Sequence, residues 1–306
     1  MKLFYEPNNA YFGDCMPFYH DGTFYVFHQR DARNPRPFEP FEWSLATTKD
    51  FVHYEDKGVA IPKEGDDSPE QYIFAGSVFE GNHKFHAIYT AYNRDFAAQG
   101  KDAQVLMSAE SDDLLNWKKT GKFVLPAPEG YDGNDWRDPF ILWEEESQQY
   151  IMILGARKLQ GKKKRTGRTV WFTSKDLAEW HFEGDFWAPE TFTMHEMPDL
   201  FKMGDWYFCI TIANPNVIMK TLLPILFLFF AAYGYGQSEK LFTVDRELSN
   251  SNINQIYQAK DGVVWIATED GLNRYDGAKF SVYKHKEEND SSLVDNNVRI
   301  LFDLRT

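Results

Sequence analysis

Three segments cut to one pattern stand 63 residues apart: TKDFVHY (48–54), SDDLLNW (111–117) and SKDLAEW (174–180). Each runs hydroxyl, polar, Asp, apolar, any residue, polar, aromatic, which sets Asp50, Asp113 and Asp176 at equal intervals. Around them β-branched and aromatic residues alternate with period two, as in TFYVFHQ, KFHAIYTAY, QYIMILGA and WYFCITIA; that alternation specifies strands. No long stretch carries a helical period. Runs that start near Tyr25, Phe85, Tyr150 and Tyr207 recur at 60, 65 and 57 residues. A period near sixty with about four short strands per unit predicts an all-β chain folded as a β-propeller, because one such unit cannot bury its faces alone and must stack on its neighbours. The pattern yields three blades and the first two strands of a fourth.

A second register runs through the same units. Asp14, Gly76-Ser77, Asp138 and Glu196 each fall in the opening strand of a unit, at spacings of 62, 62 and 58. The opening strand of a blade lines the central channel, so polar residues repeated there are expected to converge at one end of the axis. Asp before Pro and Asp at strand ends are also ordinary turn chemistry; the shared phase is what favours a site. Two carboxylates that flank a sugar can break a glycosidic bond, one attacking the oxocarbenium-like carbon and the other protonating the leaving oxygen. Asp14, Asp138 and Glu196 are the candidates. Arg137, beside Asp138, is expected to keep that carboxyl ionised and to orient it. Glu196, between His195 and Met197, has the partly desolvated setting of a general acid.

YFGDCMPFYHDGTFYVFHQ, FAGSV, WRDPF and HEMPDLF, in that order, resemble glycoside hydrolase family 32, the invertase, levanase and fructanase group. The resemblance covers about residues 4–212. It implies a five-bladed propeller, here incomplete, and a retaining mechanism on β-fructosides. It further implies Asp14 as nucleophile, Glu196 as general acid/base, and Arg137 with Asp138 as the pair that holds the fructosyl hydroxyls. Gln29 matches the glutamine of the family's second strand, Trp43 and Phe74 match aromatic positions beside the sugar, and Ser77 matches a serine of its Ser-Gly-Ser stretch. Two motifs depart from the family pattern: Asn-Asp-Pro-Asn is Gly13-Asp14-Cys15-Met16 here, and Glu-Cys-Pro-Asp is Glu196-Met197-Pro198-Asp199. The carboxylates are kept and the sugar is left open, with the propellers of families 43 and 68 as alternatives.

Charge and composition agree with a carbohydrate partner. The net charge of −13 argues against nucleic acid or an anionic membrane. The basic cluster Lys162-Lys163-Lys164-Arg165 lies between strand-like runs and reads as a solvated hairpin tip. Two cysteines, Cys15 and Cys209, form neither a disulfide framework nor a metal set, and both are expected to be small buried residues. No cofactor and no metal is called for. Aromatic residues reach 17%, which suits a β-rich core and surfaces that stack on sugar rings. MKLFYEPNNAYFGD has no apolar core for export or for a membrane span, which predicts a cytoplasmic location for the first part.

The pattern breaks after WYFCITIANPN. Lys220, the apolar run Leu222–Ala232 and the small residues Gly234 and Gly236 before Gln237 have the layout of a secretory signal peptide, with Met219 as its start. Eleven apolar residues at 1.5 Å each cover about 16 Å, roughly half a bilayer core. The rival reading, a buried strand, conflicts with Pro224 and with the lack of alternation. Downstream, LSNSNINQIYQ at 248–258 is echoed by LVDNNVRILFD at 293–303, a period of 45. Between them Trp265-Ile266-Ala267-Thr268, Gly271-Leu272 and Tyr275-Asp276 resemble the two-component regulator propeller repeat, which implies the periplasmic region of a sensor. The expected organisation is therefore 1–213 as part of a glycosidase propeller, 214–237 as the signal-like segment, and 238–306 as one to two blades of a second propeller type. A joined reading frame accounts for that order.

Overall fold

In a computed structural model the described residues are 5–33, 37–160, 165–190, 192–203, 206–214, 221–227, 240–241, 248–250, 253–259, 262–287, 289 and 292–298. They form five four-stranded antiparallel sheets, each a simple meander. The first holds β1 (Tyr11–His20), β2 (Thr23–Asp31), β3 (Trp43–Thr48) and β4 (Tyr54–Ile61). The second holds β5 (Tyr72–Gly81), β6 (Lys84–Tyr92), β7 (Gln104–Ser111) and β8 (Trp117–Leu125). The third holds β9 (Tyr131–Glu144), β10 (Gln149–Lys158), β11 (Gly167–Ser174) and β12 (His181–Trp187). The fourth holds β13 (Met194–Met203), β14 (Trp206–Asn214), β15 (Thr221–Phe227) and β16 (Lys240–Leu241). The fifth holds β17 (Ile253–Gln258), β18 (Val264–Thr268), β19 (Gly271–Tyr275) and β20 (Phe280–Tyr283). The chain divides into two compact units, Met1–Pro198 and Asp199–Thr306, and the division falls within β13.

In the first unit alternation turns directly into stacking. On β6, Phe85, Ala87 and Tyr89 enter a core shared with Phe27, Trp43, Leu45 and Ile61 of the first sheet. Ile88, one residue out of phase, enters the other core, with Trp136, Met152, Leu154 and Phe172 of the third. Successive side chains of a strand point to opposite faces, so the second sheet is buried on both sides and behaves as a blade. Each of the larger apolar side chains in these layers contributes about 1.5–3 kcal/mol by leaving water.

The 63-residue repeat proves to be a turn between the third and fourth strands of each of the first three sheets. Thr48, Ser111 and Ser174 accept the amides of Phe51, Leu114 and Leu177 at 2.9, 2.9 and 3.0 Å. Asp50, Asp113 and Asp176 each accept two amides further on, His53, Asn116 and Glu179 among them. Phe51, Leu114 and Leu177 all carry positive φ, 55°, 64° and 65°. A hydroxyl and an aspartate at this spacing hold a turn that a bulky residue would otherwise resist.

In the second unit, Leu248, Val264 and Ile266 form a small core with Ile253, Ile256, Tyr275 and Phe280 packed on it. Part of the segment with the signal-peptide layout is a strand: β15 runs beside β14 from Tyr207↔Phe227 to Ala213↔Thr221, with Pro224 opposite Ile210. Met219, Lys220, Phe229–Ala232, Gly234 and Gly236 lie outside the described residues, as do Lys162, Lys163 and Lys164. Cys209 is fully buried and Cys15 half-buried, and neither is in a disulfide.

Candidate active site

The opening strands of the first three sheets each break register in a corresponding place, and β9 breaks a second time between Tyr131 and Trp136. On β1 the break falls between Phe12 and Cys15, so Gly13 and Asp14 together face Gln29. On β5 it falls between Ile73 and Gly76, so Phe74 and Ala75 face Thr90. On β9 it falls between Arg137 and Phe140, opposite Ile153 and Gly155, so Asp138 and Pro139 face Leu154. A β-bulge bends its strand and re-aims the side chains within it. Three corresponding bulges, one per blade, are how this fold turns strand residues out of the alternation and toward one place. The equal sequence spacing was only nearly a structural equivalence. Asp14 is the second residue of its bulge and Asp138 the first of its own, while Gly76 and Ser77 lie past theirs.

Arg137 is the hub. Its Nη2 donates to Glu196 Oε1 at 2.8 Å, and its Nη1 to Asp135 Oδ1 at 3.0 Å and Gln104 Oε1 at 3.3 Å. Its Nε lies 3.9 Å from Asp138 Oδ2. Asp138 is 7% exposed and takes a φ of 62°, a region that Asp tolerates better than most residues. Its amide donates to Thr90 Oγ1 at 2.9 Å, and its Oδ2 accepts the Met197 amide at 3.0 Å. Burial pushes the Asp138 carboxyl up to about 7, against the opposing pull of Arg137 and the Met197 amide. The expectation that Arg137 would keep this carboxyl firmly ionised is therefore corrected: withdrawal from water outweighs one guanidinium at 3.9 Å.

Asp14 stands at the surface of β1. Loss of water around its carboxyl raises it above the usual range, and repulsion from Glu196 adds to that, while a Gln29 hydrogen bond and Arg137 oppose. Gln29 is itself 8% exposed and packs closely on Gly13, where an added Cβ would meet Gln29 Cβ at 2.9 Å.

Glu196 reaches the site because the first residues of β13, Met194 and His195, lie tightly on the third sheet. A Cβ on Gly155 would come within 2.0 Å of the His195 carbonyl, so that position has no room for a side chain. His195 is fully buried, accepts or donates at Thr169 Oγ1 over 3.0 Å, and lies against Trp187. Burial, with Arg168 nearby, drives the imidazole down to about 3 and keeps it neutral.

Of the remaining sequence candidates, Phe74 belongs to the site and two others face inward. Phe74 stacks between Phe41 and Tyr92 and lines a cleft of about 570 Å³ with Tyr72, Tyr92, Asp135, Arg137 and Glu196. Trp43 is fully buried among Phe27 and Tyr89, and its Nε1 donates to the Phe74 carbonyl at 2.9 Å. It shapes the site from behind rather than offering a face to a sugar. Ser77 is buried, and its hydroxyl accepts the Ile141 amide at 3.1 Å, tying β5 to β9. Gln104, Asp135 and Thr90 carry the site without having been singled out in the sequence. Asp135, two residues before Arg137 in NDWRD, was open to recognition as a same-face neighbour; nothing local marks Gln104 or Thr90.

With this geometry in view, residues 5–228 match the glycosyl hydrolases family 32 N-terminal domain, and residues 247–270 match the two component regulator propeller. A levanbiose-producing levanase of Bacillus subtilis is 30% identical over 192 residues, which is 61% of this chain and 34% of that protein. A sucrose-6-phosphate hydrolase of Escherichia coli is 28% identical over 190 residues, 60% of this chain and 37% of that protein. The chain thus spans about a third of the length of the curated relatives it matches. Among solved structures, a β-fructofuranosidase of Bombyx mori superposes with a TM-score of 0.65 at 16% identity, over 92% of this chain and 64% of that one. A fructan 1-exohydrolase IIa of Cichorium intybus gives 0.63 at 13% identity, over 93% and 60%. At those identities the structures speak for the propeller fold; on the match over 5–228, the chain belongs to glycosyl hydrolase family 32.

Proposed function

We propose that the 1–213 part is a retaining glycosidase acting on β-fructosides. The observation that carries this reading is the Arg137 guanidinium bound to Glu196 at 2.8 Å and beside Asp138 at 3.9 Å, with Asp14 near enough for Glu196 and Arg137 to act on its carboxyl. In the first half-reaction the Asp14 carboxylate attacks the anomeric carbon while the Glu196 carboxyl gives its proton to the leaving oxygen. A fructosyl ester on Asp14 results. In the second half, Glu196 takes a proton from water, the water oxygen bonds to the same carbon, and Asp14 leaves; two inversions give net retention. Asp138, near neutrality at about 7, can both donate to and accept from the sugar hydroxyls. Phe74 offers an apolar face in the cleft on the Glu196 side. The sucrose, levan and fructan chemistry named for relatives fits this arrangement. The test is release of fructose from sucrose, levan and inulin by the chain, with Asp14→Asn and Glu196→Gln alongside. Losses of 10³-fold or more are expected for each; turnover unchanged in both variants would remove the catalytic assignment.

We further infer that 238–306 are repeats of an exported sensor propeller, and that 214–237 marks its start within a joined frame. The match at 247–270 supports the first point, and the signal-like order of Lys220, apolar run and small residues supports the second. On this reading the last part belongs to an exported protein. Long-read sequencing across codons 210–240 is the test: a single uninterrupted frame would overturn the joined-frame reading.

A further inference from the structure

We propose that the cleft beside Glu196 selects a neutral sugar as leaving group and turns away a phosphorylated one, with Glu39 setting this preference by holding Arg94; the proposal rests on the glycosidase reading given above. Of the described residues that line the cleft of about 570 Å³, Arg94, Arg137, Asp135 and Glu196 carry charge. Arg137 already donates to Glu196 at 2.8 Å and to Asp135 at 3.0 Å. Arg94 Nη2 lies 3.6 Å from Glu39 Oε2, and its guanidinium sits over the Tyr72 ring, 5.2 Å from the centroid. Both cations are thus matched by carboxylates, and with Glu39 counted three negative groups face two positive ones. The backbone on each side explains the Arg94–Glu39 pair. Phe38 takes a φ of 62°; its amide donates to Asp31 Oδ2 at 3.2 Å and its carbonyl accepts the Tyr72 hydroxyl at 2.9 Å. That fixes the chain at Glu39, the next residue. Opposite, the Arg94 amide donates to Gln71 Oε1 at 3.1 Å, and Asn93 before it donates to the Asp66 and Ser68 carbonyls at 2.7 Å. Tyr72 serves both halves, with its ring under the guanidinium and its hydroxyl on Phe38.

A phosphate monoester carries about −1.5 to −2 charge at pH 7. To settle in this cleft it must either displace Glu39 from Arg94 or leave its own charge among carboxylates. Like charges brought together out of bulk water repel more strongly than in it. A neutral sugar meets neither obstacle. Its ring can lie on the aromatic faces of Phe74 and of Phe38, which is 68% exposed at the cleft. Its hydroxyls can donate to Asp135 and accept from Arg94 without disturbing either ion pair.

The experiment gives the full chain two matched pairs of probes. Sucrose and sucrose 6-phosphate are compared by kcat/KM, and glucose and glucose 6-phosphate, the sugars they would release, by ligand-observed NMR titration. The parent chain is expected to favour the neutral member of each pair by about 10-fold or more. Glu39→Gln, which releases Arg94, is expected to raise the phosphorylated-to-neutral ratio by about threefold or more. Adding Arg94→Gln to it should abolish that gain, because the freed guanidinium is the group that takes the phosphate. Retained near-UV circular dichroism identifies folded variants, and Glu39→Asp, which keeps the charge, should stay near the parent ratio. A parent that prefers the phosphorylated sugar, treats both alike or binds neither overturns the proposal, as does a gain that survives the loss of Arg94. Neutral preference in binding without hydrolysis sustains the selection and counts against the hydrolytic reading; hydrolysis of both sucrose forms with equal kcat/KM does the reverse.

Discussion

Replacing Asp138 by Asn should stabilise the protein at neutral pH and leave it nearly unchanged in acid. The carboxyl is 7% exposed and stands at about 7 in the fold against 3.8 for an unperturbed aspartate. Between those values the folded chain holds a proton that the unfolded chain has released. Stability from this group is thus complete below pH 3.8, falls as pH rises, and is lost above about 7. The gap of about three units corresponds to about 4 kcal/mol at 1.36 kcal/mol per unit. Asn keeps an oxygen for the Met197 amide, which sits at 3.0 Å, and Arg137 keeps Glu196 and Asp135 at 2.8 and 3.0 Å. Urea denaturation followed by tryptophan fluorescence at pH 4, 5, 6, 7 and 8 gives the measurement. His195 works the other way, because its neutral form is favoured down to about 3. It is common to both proteins and cancels in the difference. The expected difference is near zero at pH 4 and climbs to several kcal/mol in favour of the variant by pH 8. A difference that is flat with pH, or a variant less stable throughout, would refute the argument that burial outweighs Arg137.

Tyr89→Phe removes a 2.6 Å hydrogen bond to the buried Glu70 carboxyl and should cost about 1.5–3 kcal/mol in urea denaturation; a loss below 0.5 would mean that Lys119, 3.0 Å away, suffices alone. Gly155→Ala forces a Cβ to within 2.0 Å of the His195 carbonyl. It should cost about 3 kcal/mol or more and lower kcat more than it raises KM, and unchanged kinetics would show that Glu196 does not depend on that approach. Asp113, held at about 2 by the Asn116 amide and side chain, contributes stability above pH 3.8 that is lost as pH falls through 2. Asp113→Ala should therefore lower the melting temperature at pH 7 and have little effect near pH 2.

The parts of this structure that were legible in the sequence are those governed by local rules. The first three blades and their strand order followed from alternation and from the hydroxyl–Asp turn, because both are short-range chemistry that a pattern must repeat to keep; the fourth sheet did not, since its β15 comes from the run with the signal-peptide layout. Asp14, Asp138 and Glu196 were singled out because they recur near one phase, and Arg137 because it adjoins Asp138. What the phase could not supply was the bulge, since one residue added to a strand leaves its sequence alternating almost as before. Hence Ser77 and Trp43 looked like site residues from their positions, while their side chains serve the interior. Gln104 was silent for a different reason. It lies on β7, far along the chain from Arg137, and its role exists only once the second and third sheets are stacked. The Asp138 carboxyl went against expectation because a neighbouring charge is visible in a sequence and a loss of water is not.

The same contrast explains how the candidate site is held. Glu196 opens a strand whose later residues belong to the second unit, yet its own anchorage comes from the third sheet. Gly155 admits the His195 carbonyl, and Gly167 admits the Met194 backbone, where a Cβ would meet its nitrogen at 2.8 Å. Thr169 fixes the His195 ring, and Asp138 takes the Met197 amide while Arg137 takes the Glu196 carboxylate. Every one of these contacts is made by residues between Asp138 and Met197 or by Arg137 itself. The Glu196 carboxyl is thus held by contacts to the blade before it.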